Sequence, residues 1–340
     1  MDVTDISREE AEWMLRTMQR IRQFEDKVFE LLARDLLKGA SHVYAGEEAV
    51  AVGACAAIQP DDYIASTHRG HGHCLAKGGT LKEMMAELCG KSTGYCKGRG
   101  GSMHIADVTT NNLGATGIVG SNIPVAAGAG LACQMLKNNR VVLCFFGDGA
   151  SNTGSFHESL NMAATWKLPV VFVCENNLYG MSVAWSRASS VENVADRGPG
   201  YNMPSVVVDG MDVLAVKEAI GASAERVRAG GMPEIVECKT YRYRGHSRSD
   251  PRKYRTKEEE KEWRDRDPIV AFKKKLTDAG VMTHEECDAI EKEVEGEIAD
   301  AEKFAVEESQ SLPPEQLYED VYVGWIQGDM GLVREEKNNG

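Results

Sequence analysis

The stretch from Val141 to Gly180, VVLCFFGDGASNTGSFHESLNMAATWKLPVVFVCENNLYG, constrains the fold more than any other part of the chain. It opens on an apolar run too short for a helix, Val141 to Phe146, which stops at Gly147-Asp148-Gly149. That pattern reads as a buried strand entering a tight turn. Residues 154 to 166 then set Phe156, Leu160, Ala163 and Ala164 at helical spacing, and a second apolar run, Val170 to Cys174, follows Pro169. Strand, helix, strand in this order predicts two parallel strands joined by a right-handed crossover.

Such a crossover brings the ends of both strands to one edge of the sheet, so Asp148 meets Asn176 and Asn177 there. A carboxylate with amide and main-chain oxygens is a hard ligand set suited to magnesium or calcium, and magnesium leaves positions for phosphate oxygens. The helix after the turn is expected to aim its free amides at the same place, with Gly147 and Gly149 allowing close approach of an anion. Alone, the GDG triplet is an ordinary turn. The pairing with Asn176-Asn177 across 26 residues, Ala150 to Glu175, points instead to a metal-bridged diphosphate.

Other strand ends repeat this placement. Tyr63 to Thr67 reads as a strand that delivers His68-Arg69-Gly70-His71-Gly72-His73. Three close histidines suggest metal ligands, but the glycines and Arg69 make a flexible cationic loop that offers phosphate an arginine and a histidine the better reading. Ser205 to Val208 and Glu234 to Thr240 are two more strands, the latter emptying into Tyr241-Arg242-Tyr243-Arg244-Gly245-His246-Ser247. In an open parallel sheet the ligand crevice lies at the carboxyl ends of the strands. Arg69, Asp148, Asn177 and His246 all follow such ends. Two glycine clusters, Gly90 to Gly101 with Lys91, Lys97 and Arg99, and Gly114 to Gly120, are expected to be backbone-exposed loops flanking the site.

The flanks read as helices. Ser7 and Glu10 open a long amphipathic helix with Met14, Met18, Ile21, Val28 and Leu32 on one face, closed by Gly39, and Glu47 to Ile58 is a second, small-residue helix. From Lys257 the chain turns to charged helix, with a capping box at Thr283 and Glu286 and sparse apolar positions at Ile290, Val294 and Ile298. A solvated helix is expected there, followed by an aromatic docking segment, Leu317 to Trp325. Lys and Arg number 39 against 52 Asp and Glu, a net charge of −13, which makes nucleic acid and anionic membrane poor partners. Nine cysteines without a CxxC pair, and an N-terminus with no leader pattern, point to a cytoplasmic protein with reduced thiols.

Taken in order, STHRGHGHCLAKG, GYCKGRGGSMHIAD, GIVGSNIPVAAG, GDGASNTGSFHESLNMAATWKLPVVFVCENNLYGMS and YRYRGHSRSDP give the chain a specific likeness. It resembles the alpha subunit of the thiamin-diphosphate-dependent first component of 2-oxo acid and acetoin dehydrogenase complexes. The resemblance implies an α/β, thiamin-diphosphate-binding fold, with a mostly parallel sheet, helices on both faces, and N- and C-terminal helical extensions. Residues 1–40 would be a packing helix, 41–255 the cofactor domain and 256–340 a helical extension.

It further implies that Asp148, Asn177 and the main chain of Tyr179 hold Mg2+, and that Arg69 and Arg242 neutralise the diphosphate. His68, Gly149 and Ala150 join that cofactor site, and Gly117 and Val119 present main-chain groups to the aminopyrimidine. His42 and His246 would face the substrate, His246 where a lipoyl group arrives. Mitochondrial pyruvate enzymes have tyrosine where this chain has His68, which leans the reading toward acetoin, ahead of pyruvate and of branched-chain 2-oxo acids. A non-catalytic scaffold of the same fold is the alternative from another class. The implied partners are a beta subunit in an α2β2 heterotetramer, which supplies the activating glutamate, and a lipoyl-bearing acyltransferase. A nicotinamide dehydrogenase is excluded, because no G-x-G-x-x-G follows the early strand.

Overall fold

The computed structural model describes residues 1–37 and 39–319. In chain order its helices and strands are α1 (Arg8–Ala33), α2 (Glu48–Ala56), β1 (Tyr63–Thr67), α3 (His71–Ala76), α4 (Leu81–Leu88), β2 (Asn112–Thr116), α5 (Asn122–Leu136), β3 (Val142–Gly147), α6 (Gly154–Trp166) and β4 (Val170–Asn176). A two-residue hairpin follows, β5 (Tyr179–Gly180) and β6 (Val183–Ala184), then α7 (Trp185–Ala188), β7 (Ser205–Asp209), α8 (Val213–Arg228), β8 (Glu234–Lys239), α9 (Lys257–Arg264), α10 (Pro268–Asp278) and α11 (His284–Lys303).

Six strands form one parallel sheet in the order β2-β1-β3-β4-β8-β7. The two apolar runs of the signature stretch pair in register, Val142 beside Val170 and Phe146 beside Cys174. Alternation along them divides the core. Val142, Cys144, Phe146, Val170 and Phe172 pack toward α5 and α6, while Leu143, Phe145, Val171 and Val173 pack toward α2 and α8. A strand buried on both faces needs such a continuous apolar run, which only a parallel sheet covered by helices accommodates. Because β1 connects to β2 on one side and β3 lies on its other side, the strand order reverses between β1 and β3. That reversal opens a crevice at their carboxyl ends.

Several local expectations change. The segment Asn112–Thr116 is an edge strand beside β1 rather than a loop, since β1 supplies the pairing that its own composition does not suggest. His71–Ala76 is a buried helix, not a flexible loop. Helix α1 ends at Ala33, with Asp35 taking the left-handed conformation that Gly39 was expected to supply. Helix α11 is not solvated: Cys287, Ile290, Val294, Ile298 and Ala301 share one apolar cluster with Met14, Met18, Ile21 and Val28 of α1. The capping box at Thr283 and Glu286 forms in both directions. The docking segment expected at Leu317 to Trp325 lies almost wholly outside the described residues. Among those residues no helix is long and apolar enough to cross a membrane.

Candidate active site

The ends of four adjacent strands converge on one cavity of about 310 Å3. His68 and Arg69 come from the end of β1, Asp148, Gly149 and Ala150 from the turn after β3, Glu175 and Asn177 from β4 and its exit, and Arg242 and His246 from the loop after β8. Val119, after β2, and Tyr179, on the hairpin, complete the predicted residues that line it. Two predicted residues stand beside it instead. His42 packs edge-on against His68 and His246, and Gly117 lies against His104.

At the inner end, Arg242 Nη1 donates to Asn177 Oδ1 at 3.1 Å and to the Tyr179 carbonyl at 3.2 Å. These two oxygens therefore converge on a single cationic nitrogen. Asp148 stands near, and burial raises its carboxyl to about 6, against the lowering pull of the Arg242 guanidinium and the amides of its own turn. A carboxylate, an amide oxygen and a carbonyl oxygen grouped around one cation make a hard, all-oxygen donor set. The hairpin reaches this place because glycines face each other: a Cβ on Gly149 would stand 3.3 Å from the Gly180 Cα. Leu178 and Met181, on either side of that strand, both take positive φ, 72° and 57°, a conformation that costs energy outside glycine. Arg242 steadies it through the carbonyls of Tyr179 and Met181.

The helix amides expected to face an anion are displaced. A 3-10 turn, Asp148–Asn152, intervenes before α6, and Thr153 caps that helix by accepting the Phe156 amide. Arg69 and Arg242 are the cations that remain, both almost fully buried. Arg69 donates to the carbonyls of Val43 and His246, and its guanidinium is depressed to about 10 by burial and by Arg242. Buried polar atoms around the cavity lack hydrogen-bond partners, namely Arg242 Nε and Thr116 Oγ1, while Glu47 Oε2 faces Arg69 Nε as an ion pair at 3.7 Å. Such groups are normally satisfied in a finished interior.

Two carboxylates in the cavity wall escape the motif reading. Glu47 accepts from Asn177 Nδ2 at 2.7 Å and is raised to about 7 by burial and by the neighbouring Glu175. Its entry depends on Gly46, whose φ of 103° and missing Cβ allow the chain to pass against the Tyr241 carbonyl. Glu175 accepts from Tyr44 Oη and pairs with His73 Nε2. A charged residue inside the apolar run before Asn176 was the available signal for Glu175. Glu47 gave none, since a glutamate before a helix ordinarily reads as a solvated cap.

The loop Gly90 to Gly101 corrects another expectation. The carboxylate of buried Glu87 accepts the amides of Cys96 and Gly98 on one oxygen and of Gly100 and Gly101 on the other, at 2.8 to 2.9 Å. The loop is filled by its own chain and does not line the cavity.

Residues 16–314 match the model of the family described as the dehydrogenase E1 component. The chain belongs to that family. It is 50% identical over 329 residues to the alpha subunit of acetoin:2,6-dichlorophenolindophenol oxidoreductase of Bacillus subtilis, covering 96% of this chain and 97% of the relative. The alpha subunit of the same name from Cupriavidus necator is 45% identical, covering 91% and 93%. The pyruvate dehydrogenase E1 component subunit alpha of Rhizobium meliloti is 42% identical, covering 94% and 92%. The E1 family is thiamin-diphosphate-dependent, and its alpha subunits pair with beta subunits. The E1 alpha chain is thus an oxidoreductase subunit, and its cavity stands where the sheet reverses.

Proposed function

We propose that this chain is the alpha subunit of a thiamin-diphosphate-dependent acetoin dehydrogenase, holding the diphosphate and Mg2+ half of a site that a beta subunit completes. The observation that carries this reading is the convergence of Asn177 Oδ1 and the Tyr179 carbonyl on Arg242 Nη1, with Asp148 and Arg69 lining the same cavity. The donor set fits Mg2+, and the two guanidiniums fit a diphosphate. When bound, thiamin diphosphate supplies the ring that attacks a carbonyl and takes up the electrons left when a fragment departs.

The chain's own residues then hold, neutralise and exchange protons. Arg69 and Arg242 neutralise phosphate oxygens, while Asp148, Asn177 and Tyr179 hold the metal. His42, His68 and His246 present imidazoles at the substrate end. Burial comes first, and Arg69 second, in lowering them to about 3, 2 and 4, so each is uncharged at neutral pH. An uncharged imidazole exchanges a proton with a hydroxyl or carbonyl oxygen. The two relatives named for acetoin support a neutral hydroxyketone over a 2-oxo acid.

The aminopyrimidine end is open: Ile118 is 76% and Val119 48% exposed, and the neighbouring helix faces expose Val125, Met135, Leu136 and Trp166. An apolar surface of this kind supports cover by a second chain. We place the assembled α2β2 enzyme in the cytoplasm, handing its two-carbon acyl unit to a lipoyl group of an acyltransferase. Turnover of acetoin, pyruvate and 2-oxoisovalerate by the chain with its beta partner tests the reading. Acetoin should give the highest kcat/KM, and the isolated chain should give none. A preference for pyruvate would move it to the pyruvate branch, and turnover without a partner would overturn the shared site.

A further inference from the structure

Asp148, Asn177 and the Tyr179 carbonyl come from separate segments, and each of these is tied to one short stretch outside the cavity, the start of the 3-10 turn Ala195–Tyr201. Ala195 N donates to Glu237 Oε2 at 2.7 Å. The other oxygen of that buried carboxylate accepts Asn176 Nδ2 at 2.6 Å, so the residue beside Asn177 is held through Glu237. Arg197 reaches the other two segments. Its Nη1 donates to the Ser151 carbonyl and, at 3.2 Å, to Ser151 Oγ, whose own hydroxyl donates to the Asp148 carbonyl at 2.7 Å. Its Nη2 donates to Asn152 Oδ1 at 2.7 Å and to Ser189 Oγ at 3.2 Å. The guanidinium also lies 5.3 Å over the Trp185 ring, and Trp185 N donates to the Leu178 carbonyl at 2.8 Å, next to Tyr179.

We propose that Arg197 is a positioning residue for the metal site: it fixes the turn of Asp148 against the hairpin of Tyr179 from behind. This role rests on the metal site proposed above. Arg197 lines no part of the cavity, and its acceptors are all neutral oxygens of the two braced segments. A guanidinium suits the task, because its donors form one rigid plane whose face stacks on an aromatic ring. A lysine ammonium would offer a single point of attachment. Both segments are weak by themselves. The hairpin has only the pairs Tyr179–Ala184 and Gly180–Val183, and Leu178 and Met181 flank its first strand at positive φ. The turn Asp148–Asn152 is 3-10, whose hydrogen bonds are poorer than those of an α-helix. Mg2+ demands near-ideal octahedral geometry with bonds of about 2.0–2.1 Å, so a slip of the turn against the hairpin falls first on metal affinity.

The test is Mn2+ binding, with Mn2+ in place of Mg2+ and the free ion counted by electron paramagnetic resonance, in the chain assembled with its beta partner and saturated with thiamin diphosphate. Arg197→Met and Arg197→Lys should each weaken Mn2+ binding about 10- to 100-fold. Turnover should return to near that of the parent once metal is saturating, so the loss falls on the metal requirement and not on kcat. Asn152→Ala, which removes one acceptor and leaves Arg197 in place, should weaken binding less. Arg228→Met is the structural control. Arg228 joins buried Asp62 to the Asn139 carbonyl at the amino ends of β1 and β3, so its loss should lower Tm and leave Mn2+ affinity unchanged. Unchanged affinity in Arg197→Met, an equal loss in Arg228→Met, or a fall in kcat that saturating metal does not repair overturns the proposal. If Arg197→Met does not assemble, unchanged affinity in Asn152→Ala overturns it. Absence of Mn2+ binding by the parent complex would instead strike the metal site of the proposed function.

Discussion

Glu87 and Asp148 are both buried carboxylates beside glycine-rich turns, and only one of them is finished by its own chain. Four amides close on Glu87, so an anion and the loop's N–H groups satisfy each other completely. Asp148 keeps only amides of its own turn, is lifted to about 6 by burial, and faces a cavity in which Arg69 and Arg242 have no diphosphate of the chain's making. The same ingredients therefore yield a structural staple in one place and a receptor in the other. What decides between them is whether the matching charge is already in the sequence.

This contrast can be broken by substitution. Asp148→Ala should abolish Mg2+-dependent thermal stabilisation by thiamin diphosphate and lower turnover by about 1000-fold or more, roughly 4 kcal/mol of barrier. The free chain should melt no lower than the parent, because a costly buried carboxylate is gone. Glu87→Ala should do the reverse. Four charge-assisted hydrogen bonds are lost together, so denaturant unfolding should show a destabilisation of about 3–4 kcal/mol, while the folded fraction binds cofactor as the parent does. Equal loss of stability in both variants, or lost cofactor binding in a stable Glu87→Ala protein, would remove the distinction.

The positions of Arg69, Asp148, Asn177 and His246 were legible because each follows an apolar run, and parallel topology sends all such ends to one edge. Signals within a few residues carried that much. Partners far apart in the chain did not show: Glu47 meets Asn177 across 130 positions, and Arg20 of α1 meets Glu297 of α11 across 277. The stripe of Ile290, Val294 and Ile298 was visible, but a seam of one residue per turn does not say which helix it meets. Likewise, glycines at 90 to 101 announced a nest of amides without showing that Glu87, just upstream, fills it. Strand β2 escaped notice because Asn112-Leu-Gly-Ala-Thr has no strong alternation, and its pairing is imposed by β1.

The histidines carry the same contrast into the pH dependence of stability, where the expected effect is smallest. His42, His68 and His246 are lowered to about 3, 2 and 4 when folded, against about 6.5 in an unfolded chain. Between pH 6.5 and about 4 the unfolded state binds more protons at these three sites, so their contribution is present above pH 6.5 and is lost on acidification. Asp148 and Glu47 oppose them. Their folded values of about 6 and about 7 exceed the ordinary 3.8 and 4.5, so the folded state binds an extra proton at each between those values and gains stability as pH falls. Three groups against two leave a smaller net loss from pH 6.5 toward 4. Urea unfolding at intervals across that window should show the loss in the parent and a shallower one in a His42→Gln, His246→Gln double variant. Mg2+ with thiamin diphosphate should also flatten the curve, because neutralising Arg69 and Arg242 removes a repulsion felt by all three rings. Identical slopes in parent and variant would mean that burial does not depress these imidazoles.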